Sequence, residues 1–101
     1  MHKKYLKVIA TITALKGKEK DLRDVLLKMI EPTRKEPGCI SYTLLNNIAN
    51  QSEHTFFEEW KTEKDLKTHM KSSHFQKTVN SLDGLIASEP EIKQYYSMEI
   101  G

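Results

Sequence analysis

The chain reads as one α+β domain over residues 1–101, in the order strand, helix, strand, strand, helix, helix, strand. Three observations predict it. Tyr5–Leu15 alternates apolar and polar residues, and Leu22 to Ile30 and Leu66 to Ile86 repeat at helical spacing. Two more alternating runs, Cys39–Asn47 and Glu53–Lys61, follow one another with only a polar joint between them.

Leu6, Val8, Ala10, Ile12 and Ala14 give the first strand one apolar face, and the small Ala10 and Ala14 leave room for something to approach it. Gly17 ends this strand. From about Glu19, the residues Leu22, Val25, Leu26, Met29 and Ile30 share a helical face. Each contributes about 1.5–3 kcal/mol when buried, so packing rather than local propensity sustains the helix. Pro32 is expected to kink or end it, with an irregular turn to Glu36 and a sharp turn at Pro37-Gly38. The second strand sets Ile40, Tyr42 and Leu44 against Cys39, Ser41 and Thr43, and Asn46–Ser52 reads as the loop of a hairpin. Thr62 is expected to cap a short helix, Glu63–Lys71, with Asp65 in its first turn. Ser73-His74-Phe75-Gln76 has the form of a capping box opening the next helix, which presents Phe75, Val79, Leu82 and Ile86 and is stopped by Pro90. Glu91–Glu99 reads as the last strand.

The compact solution for this β-α-β-β-α-α-β order is the ferredoxin-like split βαβ arrangement, a four-stranded antiparallel sheet with helices on one face. The opposite face would carry Ile9, Thr11 and Thr13 with Ser41 and Thr43 or their neighbours, too apolar in places to stay wet. A second copy packing sheet on sheet covers it, so a homodimer is expected.

Composition narrows the class. The chain is 38% hydrophobic and 30% charged, and no apolar run approaches the length of a membrane span. Met1-His2-Lys3-Lys4 leads into an alternating strand rather than a continuous apolar segment, which reads as a cytoplasmic protein without a signal peptide. The single cysteine, Cys39, excludes an intrachain disulfide and a cysteine metal cage, and reads as a small buried residue. A net charge of +2 is too small to argue for nucleic acid, although residues 1–37 hold ten Lys/Arg against five Asp/Glu. RNA recognition is further disfavoured because the third strand, Glu53-His54-Thr55-Phe56-Phe57-Glu58-Glu59-Trp60-Lys61, sets three acids where phosphates would lie.

Chemistry concentrates between Phe56 and Phe75. Phe56, Glu58 and Trp60 share a strand face, Leu66, His69 and Met70 share a helix face, and His74 follows at the start of the next helix. Glu58, between two aromatics, is costly to bury without a donor such as His69. His54 is expected to face solvent near the hairpin and His2 to lie in a frayed terminus. A metal on His69 and His74 is not expected, because they stand five apart across a helix break with no third ligand in view.

Pro37-Gly38-Cys39, Tyr42, Phe56-x-Glu58-x-Trp60, Leu66-x-x-His69 and Ser73-His74-Phe75, in that order, resemble the antibiotic biosynthesis monooxygenase family over nearly the whole chain. The resemblance implies a dimeric α/β barrel with a pocket between sheet and helices in each subunit. Members include cofactor-independent quinol and anthrone monooxygenases, an isomerase of a phosphorylated sugar and haem-degrading enzymes. The haem branch uses an Asn, a Trp and an iron-binding His where this chain has Ala10, His69 and Val79, so haem degradation is set aside.

Triplet O2 reacts slowly with closed-shell organics, and the sequence offers neither a facial triad nor a dinucleotide loop, so no cofactor is expected. The substrate, a quinol, anthrone or similar phenol, must itself become the electron donor to O2 by losing a proton to a base. Imidazole suits that step near neutral pH, and His69 or His74 is the candidate. Trp60, Phe56, Tyr42, Phe75, Met70 and Ala10 would line the pocket, and Glu58 would orient an imidazole by accepting its other ring proton. A non-catalytic binder or stress protein, and an isomerase working by proton transfer alone, fit the same residues.

Overall fold

The computed structural model describes residues 4–99, so His2 lies outside the described residues. The elements are β1 (Leu6–Thr13), α1 (Glu19–Leu27), α2 (Ile30–Arg34), β2 (Cys39–Asn47), β3 (Asn50–Trp60), α3 (Glu63–Lys71), α4 (Ser73–Ser81) and β4 (Glu91–Tyr95). The strands pair antiparallel in the order β2-β3-β1-β4, the ferredoxin-like arrangement expected from the sequence.

Alternation in sequence becomes alternation in burial. Leu6, Val8, Ala10 and Ile12 of β1 are buried beneath Leu22, Leu26 and Met29, with Leu66 and Leu82 closing the same core. Strand register then fixes what else shares this face. Val8 is level with Glu58, which is level with Tyr42, and Ala10 is level with Phe56, which is level with Leu44. Glu58 is thereby carried into the middle of the helix-covered face.

Local structure departs from the sequence reading at several points. The first helix breaks at Lys28–Met29, ahead of Pro32, and resumes as α2 with the proline in its first turn. A proline ring clashes with the carbonyl four residues back, here Lys28, while its missing N–H is harmless in a first turn. The polar Asn46–Ser52 segment is largely paired: β2 reaches Asn47 and β3 starts at Asn50, leaving Ile48-Ala49 as the turn. There the Asn47 side chain accepts from the Ala49 N–H at 2.8 Å, so the asparagines close the hairpin instead of opening it. Helix α4 ends at Ser81, well before Pro90, and Gly84 follows with φ +78, a left-handed conformation natural only to glycine. Strand β4 stops at Tyr95, short of Glu99.

Thr62 caps α3 as expected, accepting from the Asp65 N–H at 3.1 Å. The cap of α4 is not the expected one. Ser72 rather than Ser73 supplies it, its Oγ accepting from the Phe75 N–H at 3.2 Å.

The turn before β2 is pinned against α3. A Cβ placed on Gly38 would collide with the Cβ and Cγ of Asp65, so only glycine lets this turn approach the start of α3. Gly38→Ala is expected to cost about 1–3 kcal/mol through overpacking, read as a lowered midpoint in thermal unfolding.

On the sheet's other face Lys7, Glu59 and Ser41 form one polar row, with Lys7 Nζ 2.7 Å and Ser41 Oγ 2.8 Å from the Glu59 carboxylate. The next rows are Ile9, Phe57 and Thr43, then Thr11, Thr55 and Leu45. Among the described residues no helix packs on this face.

Candidate active site

Between sheet and helices lies a cavity of about 90 Å³. Ala10, Tyr42, Phe56, His69, Met70 and Phe75 all line it, as the sequence reading expects, and Glu58 reaches it from the sheet. Val79 and Ile92 line its outer part and are exposed, so it opens toward α4 and β4. No Lys or Arg is among the lining residues. Trp60 is a correction: it is fully buried and not among the lining residues, packed behind the site with its ring tilted against that of His69 at 4.7 Å between centroids.

His69 occupies the last turn of α3, and its ring sits among Trp60, Phe75 and Tyr42, with the Phe75 and Tyr42 centroids 5.2 and 5.7 Å away. The helix ends just beyond because Ser72 is extended, with φ −66 and ψ 154. Its Oγ donates to the His69 carbonyl at 2.6 Å while accepting from Phe75, so one hydroxyl closes α3 and opens α4. On an unbroken helix residues five apart diverge by about 140°. The break at Ser72 removes that divergence, and the His69 and His74 rings approach to 5.8 Å between centroids.

Both rings converge on Glu36, at the end of the irregular turn expected after Pro32. Glu36 Oε2 lies 2.7 Å from His69 Nδ1 and 2.8 Å from His74 Nε2. The turn holds it there, with the Glu36 N–H on the Thr33 carbonyl and the Cys39 N–H on the Glu36 carbonyl, both at 3.0 Å. Glu36 therefore takes the orienting role assigned from sequence to Glu58. Glu58 instead accepts from the indole N–H of Trp60, two residues along its own strand, at 2.9 Å. The expected lack of a third ligand beside the two imidazoles is also corrected, since Glu36 completes a set of three donor atoms within 4.8 Å of one another.

Electrostatics separates the groups. Burial pushes the His69 imidazole below its ordinary range, against the pull of Glu36, which favours a neutral ring near pH 7. With Nδ1–H donated to Glu36, the basic lone pair of His69 is on Nε2. Burial pushes the Glu58 carboxyl up to about 7, opposed by the Trp60 N–H and aided by Glu36. Burial, then Glu58, also raises the Tyr42 phenol, which stays protonated. Burial pushes the Cys39 thiol up to about 11, in keeping with a structural rather than nucleophilic cysteine. His74 does not line the cavity and is partly exposed. His54, expected in solvent, is buried opposite Ile12, with Nδ1 3.1 Å from the Ser52 carbonyl. Position two residues from Phe56 on one strand face carries it inward, a signal the sequence held.

A buried imidazole, a carboxyl partly protonated near pH 7 and aromatic walls around a cavity form a site suited to proton transfer on an uncharged ligand. The sequence profile of the antibiotic biosynthesis monooxygenase family matches residues 6–81, and the chain belongs to that family. A solved structure from Pseudomonas aeruginosa superposes with a TM-score of 0.91 at 27% identity, covering 98% of this chain and 99% of that one. One from Methanosarcina mazei Go1 gives 0.86 at 32% identity over 91% of each chain. A structure described as an antibiotic biosynthesis monooxygenase gives 0.88 at 23% identity, over 93% of this chain and 99% of that one, a likeness of fold alone. An uncharacterised protein of Synechocystis sp. is 38% identical over 66 residues, 65% of this chain and 45% of its own length. The aligned part thus takes in less than half of that relative. No helix among the described residues is long and apolar enough to cross a membrane.

Proposed function

We propose that the protein is a cofactor-independent monooxygenase that oxidises a quinol, anthrone or similar phenolic molecule with O2. The observation that carries this reading is His69 on the cavity wall, tethered through Nδ1 to Glu36, so that Nε2 is the nitrogen left to take a substrate proton. Removing that proton leaves an electron-rich enolate or phenolate able to pass an electron to O2. For an anthrone methylene, one oxygen atom ends in the new carbonyl and the other leaves as water with the two methylene hydrogens. Phe56, Tyr42 and Phe75 hold a flat ring, and the protonated fraction of Glu58 donates to its oxygen. Oxygen uptake with a menadiol-type quinol or an anthrone, in metal-free and flavin-free buffer, tests the reading; uptake no faster than autoxidation sinks it.

A partly protonated Glu58 beside the His69 ring base also supports a second reading, an isomerase working by proton transfer. Turnover that persists without O2 selects it over the oxygenase.

The working unit in this reading is a homodimer through the bare sheet face, which Phe57, Ile9 and Leu45 make apolar. Phe57→Arg is expected to convert a dimer to monomers of 11.7 kDa in light scattering, and an unchanged dimer mass would place the interface elsewhere.

A further inference from the structure

We propose that Glu36, His69 and His74 form a binding site for a divalent first-row transition ion, and that filling it withdraws His69 from proton transfer. The first part stands on geometry alone; the second rests on the proposed catalytic reading.

Three donor atoms from three separate elements meet here: a carboxylate oxygen from the turn before β2, Nδ1 from the end of α3 and Nε2 from the first turn of α4. Two imidazoles and one carboxylate are the ligand set that zinc and non-haem iron sites use, with the remaining positions left to water. Ligands about 2.1 Å from a shared ion lie about 3.0–3.4 Å apart, depending on coordination number. The present separations from Glu36 Oε2 are 2.7 and 2.8 Å, so each must open by a few tenths of an ångström, while the two ring nitrogens, within 4.8 Å of one another, close to the same spacing. Rotation of the Glu36 and His74 side chains supplies that, because both remain partly accessible, at 14% and 22% of their side-chain surface, whereas His69 at 2% is the fixed wall. Those two accessible residues are also the route by which an ion arrives.

The ring packing of His69 constrains it further. It lies between Trp60, Phe75 and Tyr42, which hold Nδ1 on the Glu36 side. When an ion takes the Nδ1 lone pair, the ring proton moves to Nε2, and His74 likewise moves its proton from Nε2 to Nδ1. No proton or electron is gained or lost in the rings. The cavity then faces an N–H donor where it had a base.

The test begins without substrate. Purified protein stripped with chelator is titrated with Co2+ and Zn2+, followed by visible absorption and by equilibrium dialysis. The expected result is one ion per chain, with Co2+ bands free of thiolate charge transfer, and at least 100-fold weaker binding in Glu36→Gln and in His74→Asn. Cys39→Ser serves as the control and is expected to bind as the parent does. Circular dichroism checks that each variant is folded, and the partly exposed His74 offers the mildest change if Glu36→Gln is not. No stoichiometric ion, or an ion whose affinity both variants leave unchanged, overturns the site. Oxygen uptake then tests the second part. Zn2+ is expected to suppress turnover of the parent reversibly on chelation, and to leave His74→Asn unaffected at the same concentration. Undiminished turnover by the fully loaded protein overturns the withdrawal of His69. Ion binding without any turnover of the stripped protein supports the site and counts against the oxygenase, so the two failures are told apart.

Discussion

His69→Asn is expected to lower kcat/KM for quinol or anthrone oxidation by about 10²–10⁴-fold, with most of the loss in kcat. Asparagine is the informative replacement because its amide nitrogen falls close to where Nδ1 stands. The donor to Glu36 is retained and the basic Nε2 is deleted. The ring's van der Waals contacts with Trp60, Phe75 and Tyr42 are reduced, so a thermal melt must accompany the kinetics. Glu36→Gln is expected to cost less, about tenfold or somewhat more, because it disturbs the orientation and tautomer of the base without removing it. An oxygen electrode, with autoxidation subtracted at each substrate concentration, reads both. A folded His69→Asn protein with undiminished kcat would remove His69 from the chemistry. His74 is the contrast: away from the cavity and touching the site only through Glu36, it is expected to change kcat by less than Glu36→Gln does.

What was legible in the sequence follows from what periodicity can encode. Alternation in β1 and β3 placed Ala10, Phe56 and Glu58 on the covered face, and the 3.6 repeat placed His69 and Met70 toward it; the register agrees. These are one-element facts. Glu36 escaped because its role arises between elements. It lies in a turn with no repeat, and its partners come 33 and 38 residues later, brought to it only when Gly38 packs on Asp65 and Ser72 divides α3 from α4. The expectation that Glu58 holds the imidazole fails for a related reason. A shared strand face gives two possible donors, His69 across the layer and Trp60 two residues along, and the sequence does not say which one the carboxylate reaches. The same limit applies to the expected absence of a third metal ligand, which counted neighbours along the chain while the fold counted them in space.

Glu58→Gln is expected to raise stability above pH 8 and to change it little below pH 4.5. The Glu58 carboxyl is 4% exposed, and burial lifts it from 4.5 to about 7. A carboxyl with a higher pKa in the folded chain than in the unfolded one binds a proton on folding. Its contribution is complete below the unfolded value and is lost as pH rises through the folded value. The interval from 4.5 to about 7 corresponds to about 3 kcal/mol between the two ends. Glutamine keeps an oxygen for the Trp60 N–H but has no proton to lose, so it escapes this cost. For a chain of this size the difference above pH 8 amounts to about 10–20 °C in melting temperature, compared at equal protein concentration and with chelator present. His69 acts in the opposite sense. Its lowered pKa favours the folded state above the ordinary imidazole range and costs stability as pH falls through the folded value. Because both proteins carry His69, that slope cancels in the difference, which isolates Glu58. Parallel stability curves from pH 4 to 9 would mean that Glu58 ionises normally in the fold, and the neutral acid facing the cavity would be lost from the mechanism.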